Sequence, residues 1–141
     1  MKASEALKAH IKEREGLSLK AYPDDGGVWT IGYGHTGGVK KGDLITLQTA
    51  EDLFGRDLAE FEGYVNGLGL ELTQGQFDAL TDFCYNPGIG NLRSSTLLKK
   101  IRAGRPSSEI QNEFRKWKYC KGKVLAGLVK RREWEAQMWV S

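Results

Sequence analysis

The chain predicts an α+β fold that is mostly helical, with one small antiparallel sheet near its start and a cleft between two lobes. Two observations carry this. Apolar residues recur at helical spacing through most of the 141 residues. A single early segment, Val28 to Gly34, alternates with period two instead and follows the turn-forming run Tyr22-Pro23-Asp24-Asp25-Gly26-Gly27. Helices gathered to one side of a short sheet give the α+β class.

The first helix is expected from about Ser4 to Glu15, with Ser4 as N-cap, Glu5 favouring the first turn and Gly16 ending it in a left-handed cap. Steps of four from Ala3 reach Leu7, Ile11 and then Glu15, so a carboxyl stands where the apolar stripe calls for a hydrophobe. Lost hydration and the negative end of the helix would both favour its protonated form, which suits a general acid. The residues alone leave open a solvent-facing Glu15, or one paired with Lys12 or Arg14.

Along the period-two segment, Trp29, Ile31 and Tyr33 are expected to face a core. Val28, Thr30, Gly32 and Gly34 take the other face, kept nearly bare by glycine, as where a ligand or backbone approaches closely. Asp24, in a polar turn, is expected to stay ionised, with Thr30 placed to hold a water against it. Two carboxyls in contrasting surroundings are the minimum apparatus for glycosidic cleavage.

Further on, Thr46 should cap a long helix with a stripe through Ala50, Leu53 or Phe54, Leu58, Phe61 and Val65, ended by Gly67-Leu68-Gly69. Thr73 with Gln76 reads as a capping box for a helix through Leu80 and Phe83, and Ser94 or Ser95 caps the next, to about Ala103-Gly104. Ser108 with Gln111 reads as another box, for a helix reaching Trp117, and a last helix is expected from Gly127 to about Trp139. Gly37-Gly38 and Lys40 to Asp43 look like loop material closing the sheet.

These residues resemble the phage-type lysozymes, glycoside hydrolase family 24. Glu15, Asp24 and Thr30 leading into Ile31-Gly32-Tyr33-Gly34-His35 are similar to that family's Glu, spaced Asp and T-x-G-x-G-H strand. Phe83 to Asn91, followed by Ser94-Ser95-Thr96-Leu97-Leu98, is similar to its F-x-x-N-x-G-x-G segment and following helix start. Trp117, Gly122-Lys123-Val124-Leu125, Gly127-Leu128-Val129 and Arg131-Arg132 are similar to its ending. The likeness runs from about Glu5 to Trp139.

The resemblance implies one lysozyme-like domain over 1–141, with a sheet-containing lobe about 16–45, a linking helix about 46–66, and a helical lobe about 70–141 that includes the first helix. It implies hydrolysis of the β-1,4 bond between N-acetylmuramic acid and N-acetylglucosamine in bacterial peptidoglycan, leading to lysis of the cell. Glu15 would protonate the leaving oxygen while Asp24 and Thr30 position the attacking water. Inversion would place the two carboxyls about 6.5–9.5 Å apart. Tyr85, Asn86 and Trp117 are the expected sugar contacts, and neither cofactor nor metal is called for. One departure is Pro87, where the family has Val or Leu. Proline disfavours helical geometry at Asn86, so the preceding helix should end at Tyr85 or Asn86.

No stretch approaches 18 consecutive apolar residues and no charged-then-apolar leader opens the chain. Within the resembling family this implies no stable membrane insertion. A monomer would reside in the host cytoplasm and reach the wall through a separate pore-forming protein. Residues 1–89 hold eight Lys and Arg against fourteen Asp and Glu, and residues 90–141 hold thirteen against four. That asymmetry fits either an acidic partner, such as wall peptide stems, or two halves attracting each other.

Cys84 reads as a buried thiol and a bridge to Cys120 lacks sequence support. His10 reads as a helix-surface residue and the resemblance implies a structural His35, while Arg131 and Arg132 either support the acid electrostatically or face solvent. The alternatives are a wall-binding module without chemistry, a nucleic-acid binder using Arg93 to Arg132, and a glycosidase of chitin-like polymers. Nucleic acid is not the expected partner: that basic stretch has no recognition motif and the first half is acidic.

Overall fold

A computed structural model describes residues 1–141 as seven helices and two small antiparallel sheets, 56% helical. The elements are α1 (Glu5–Glu15), β1 (Ser18–Pro23), β2 (Trp29–Gly32), α2 (Leu47–Gly67), α3 (Gln74–Tyr85), α4 (Ile89–Arg93), α5 (Thr96–Arg102), α6 (Ser107–Arg115), β3 (Tyr119–Cys120), β4 (Lys123–Val124) and α7 (Ala126–Trp139). The chain divides into two compact units, Glu5–Glu60 and Phe61–Ser141, the second joined by Met1–Ser4. α1 falls within the first unit, and its Lys12 ammonium meets the Glu51 carboxylate of α2 at 2.9 Å.

In the first unit, β1 and β2 pair with Ser18 opposite Gly32, Tyr22 opposite Thr30 and Pro23 opposite Trp29. The register shifts between Ser18 and Tyr22, a bulge that bends β1. On the other edge of β1, Ala21 N–H donates to Asp43 O and Ile45 N–H to Leu19 O, each at 2.9 Å. The loop material after Gly37 thus does return to close the sheet. Thr46 Oγ1 accepts from Thr49 N–H and caps α2, whose Ala50, Phe54, Leu58 and Val65 are buried. His10 is buried, correcting the surface expectation.

The second unit holds the larger apolar core, built on Phe77, Leu80, Phe83, Leu92, Leu97, Phe114 and Trp139. Thr73 and Gln76 form the expected capping box on α3. Ser95, rather than Ser94, caps α5 by accepting from Leu98 N–H. The Ser108–Gln111 box does not form. Pro106 occupies the N-cap of α6, its carbonyl takes the Glu109 and Ile110 N–H groups, and Gln111 donates to Ala136 O instead. α6 stops at Arg115, short of Trp117.

α3 ends at Tyr85, yet Asn86 stays in the helical region at φ −101° and ψ −74°. Its N–H still completes the last turn on Asp82 O at 3.1 Å, and the proline stops the ladder only after it. Cys84 and Cys120 are free thiols. Burial first, then the Glu135 and Asp82 carboxylates, push the Cys84 thiol up to about 12.

Candidate active site

Glu15 is the last residue of α1 and is half-buried rather than enclosed. The helix stops there because Gly16, at φ +69°, returns its N–H to Lys12 O at 2.9 Å. Lys12, one of the partners left open for Glu15, is held elsewhere. Its ammonium meets Glu51 and lies 5.1 Å from the ring centres of Tyr33 and Phe54. Lys12 and the Tyr33 hydroxyl hold the Glu51 carboxyl below the usual range. The Glu15 side chain lies against Gly34, in the turn that follows β2.

Asp24 closes the β1–β2 hairpin with its own side chain. Its Oδ1 accepts from Gly26 N–H at 2.9 Å and Val28 N–H at 2.8 Å, and its backbone N–H donates to Val28 O at 2.8 Å. Such charge-assisted bonds from the backbone hold the exposed carboxylate in one orientation. Oδ2 takes part in none of them. Thr30 Oγ1 donates to the same Val28 carbonyl at 2.8 Å. One peptide-bearing residue, Val28, therefore ties the carboxylate to the hydroxyl, its N–H on Asp24 and its C=O on Thr30. With its proton committed, Thr30 Oγ1 can only accept from any further partner.

The expected open face at Thr30 is corrected. Thr30 is 3% exposed and Ile31 2%, while Val28 is 49% exposed, so the strand does not split cleanly into a core face and a bare face. The strand is only four residues long. It gives way to a turn in which Ile31 and His35 exchange two backbone hydrogen bonds. Gly32 packs on Ala50 and Ile45, and the space at Gly34 is taken by Glu15. His35 ring nitrogens lie 2.8 Å from Asp57 Oδ2 and 2.9 Å from Gly37 O, anchoring this turn.

Tyr22 was missed by sequence reasoning. It pairs across the hairpin with Thr30 and is half-buried. Its phenol is pushed up by burial first, then by the carboxylates of Glu15, Asp24 and Asp25. Glu15 and Asp24 thus act on one tyrosine, which stays a neutral hydrogen-bond donor. The period-two signal could not show this, because Tyr22 reads as turn material until β1 is recognised as a strand.

Tyr85, Asn86 and Trp117 belong to the second unit. Tyr85 sets its ring edge to Phe61 with centroids 5.3 Å apart, Asn86 is exposed, and Trp117 stands edge-on to Phe83 at 5.2 Å. Arg131 and Arg132 neither face solvent nor lack acidic partners of their own. Arg131 clamps Asp82 through Nη2 and Nε, at 2.8 and 3.1 Å. Arg132 Nη2 donates to Glu135 Oε2 at 2.9 Å. No group of three or more His, Cys, Asp and Glu side chains is arranged to hold a metal ion.

A helix-ending glutamate, a hairpin aspartate and a strand threonine on one sheet-bearing unit, in this order of elements, define a lysozyme-like protein. The phage lysozyme family matches residues 12–135, and the chain belongs to it. It is 46% identical over 136 residues to an endolysin of Bacillus phage B103, covering 93% of this chain and 51% of that protein. An endolysin of Acyrthosiphon pisum secondary endosymbiont phage 1 is 42% identical over 136 residues, covering 93% of this chain and 92% of its own length. The chain thus spans about half of one relative and nearly all of the other. Among solved structures, the muramidase domain of SpmX from Asticaccaulis excentricus superposes with a TM-score of 0.85 at 36% identity, covering 99% of this chain and 98% of that one.

Proposed function

We propose that this chain hydrolyses the β-1,4 bond between N-acetylmuramic acid and N-acetylglucosamine in bacterial peptidoglycan. The observation that carries the reading is the tie of Asp24 and Thr30 through Val28, with Glu15 at the end of α1 lying against the turn that follows β2. Glu15 protonates the glycosidic oxygen as the bond to the anomeric carbon breaks. A water held by Thr30 Oγ1 and Asp24 Oδ2 attacks that carbon from the opposite face and gives its proton to Asp24. The reaction inverts the anomeric centre, which calls for a carboxyl separation of about 6.5–9.5 Å. Tyr85, Asn86 and Trp117 are proposed sugar contacts.

The same reading has a monomer held in the host cytoplasm and released to the wall through a pore made by another protein. No helix is long and apolar enough to cross a membrane.

Glu15→Gln tests the proposal. It should abolish solubilisation of purified peptidoglycan while leaving the circular dichroism spectrum and melting temperature close to the parent. Mass analysis of parent digests should find reducing N-acetylmuramic acid ends, and NMR of fresh product should find the α-anomer. Full activity in E15Q removes Glu15 from the mechanism, and β-anomer as first product removes inversion.

A further inference from the structure

The turn after β2 folds back tightly, with Ile31 and His35 exchanging backbone hydrogen bonds at 2.8 and 2.9 Å and Gly34 at φ +79°. A Cβ on Gly34 would fall on the Glu15 side chain, against Oε1, 2.8 Å from Cδ and 3.0 Å from Cγ. Ordinary contact with a Cβ begins near 3.4 Å. The carboxyl therefore occupies volume that any other residue at position 34 would fill.

Two requirements meet at this residue, and neighbouring glycines separate them. Gly16, Gly27, Gly38 and Gly42 share the left-handed backbone, at φ between +69° and +91°, yet nothing lies within 4 Å of a Cβ built on them. Backbone conformation alone accounts for glycine at those four positions. Gly32 meets Ala50 and Ile45 at 3.6 Å, an ordinary packing distance. In this unit only Gly26 offers a parallel, its Cβ position lying 3.3 Å from Asp24 Oδ1. Each carboxyl of the proposed pair thus rests on a glycine, tightly at Gly34 and loosely at Gly26.

We infer that Gly34 is a positioning residue for the acid, its bare Cα forming the seat that fixes where the Glu15 carboxyl presents its proton. A glutamate at a helix end is a long side chain with rotamer freedom to lose. At this half-buried position its neighbours decide which directions the side chain can take. Contact along Cγ and Cδ closes those directions on one side. Proton delivery in the transition state depends on such placement, and a misplacement of about 1 Å costs up to about a hundredfold in rate. The inference rests on the reading of Glu15 as the proton donor, but the seat itself can be tested apart from it.

The experiment compares Gly34→Ala with Gly38→Ala in the full chain. Both place alanine at positive φ, and only the first meets Glu15. G38A should lower the melting temperature and keep the parent kcat. G34A should lower the melting temperature further and cut kcat ten- to a hundredfold, with KM on solubilised glycan strands unchanged. In a Glu15→Ala background, the extra melting-temperature loss of G34A over G38A should vanish, because nothing remains to collide with the new methyl group.

Parent-level kcat in G34A overturns the positioning role. Persistence of the extra thermal loss in the E15A background overturns the seat. If G34A fails to fold, folding of the E15A/G34A pair supports the seat, and its failure to fold refutes it. Full activity in E15Q would instead sink the assignment of Glu15 as acid, while the thermal comparison would still report whether the seat exists.

Discussion

The two units treat their charged side chains in opposite ways. In Glu5–Glu60, Asp24 is exposed and held by N–H groups of the hairpin, and Glu15 is half-buried with its side chain against the bare Cα of a turn glycine. In Phe61–Ser141, Asp82, Arg131, Arg132 and Glu135 are each at most 4% exposed and are matched to one another. Burial outweighs the Arg132 guanidinium and raises the Glu135 carboxyl. A carboxylate fixed by backbone keeps an oxygen for substrate. Asp82, clamped by the buried Arg131 guanidinium, has both oxygens engaged and holds the fold.

The comparison is easiest to break at Arg132. Arg132→Met keeps the volume beside Phe83, whose ring centre lies 5.3 Å from the guanidinium, but strands Glu135. Removing one member of a buried pair costs about 3–5 kcal/mol. Chemical denaturation should show a loss of that size, while kcat per folded molecule stays at the parent value. A large fall in kcat for folded R132M would mean that the charges of the second unit take part in the chemistry after all.

A smaller effect sharpens the contrast from the other side. His35→Ala removes the contacts to Asp57 and Gly37 O at the foot of the Gly34 turn and leaves the half-buried Asp57 without them. Losing hydrogen bonds of this kind costs about 1–3 kcal/mol. Here kcat should fall together with stability, since the loosened turn carries the Glu15 seat. Urea titration alongside single-turnover rates separates the two effects. Unchanged kcat would show that the turn is rigid without its histidine.

What the sequence made legible follows the same division. Local signals read well: Thr46 and Thr73 cap the helices they announce, because a cap is completed within a few residues. The Ser108–Gln111 pattern has the same spacing and fails, because a proline two residues earlier starts the helix first and Ala136 claims the glutamine. The carboxylates and Thr30 were legible as residue types at a spacing. Their supports were not. The Val28 linkage depends on hairpin register, the Tyr22 pairing on a bulged strand, and the Gly34 seat on a helix end meeting a turn some twenty residues on. The short α4 and the β3–β4 hairpin left no periodic signal, being too brief for one. For the paired arginines near the end a surface place stood open beside electrostatic support of the acid, because long basic side chains are seldom buried; their acidic partners on α3 and α7 account for the burial.

The smallest effect concerns a surface pair of the second unit, and its sign is set by the direction of one shift. Arg115 grips Glu133 through Nε at 2.8 Å and Nη2 at 3.0 Å, and Gln137 adds a further donor. Arg115 first, then Gln137, hold the Glu133 carboxyl down to about 2, below its unfolded value of about 4.3. A depressed carboxyl stabilises the fold above the unfolded value and loses that contribution as pH falls toward the folded one. Both side chains are more than a third exposed, so solvent screening holds the gain under about 1 kcal/mol. The parent should therefore lose slightly more stability than Glu133→Gln between pH 4.5 and pH 2, with the two curves parallel above pH 5. Added salt should shrink the difference. A gap that widens with salt, or that persists undiminished at pH 2, would show that Glu133 acts through packing rather than charge, unlike the buried pairs next to it on α7.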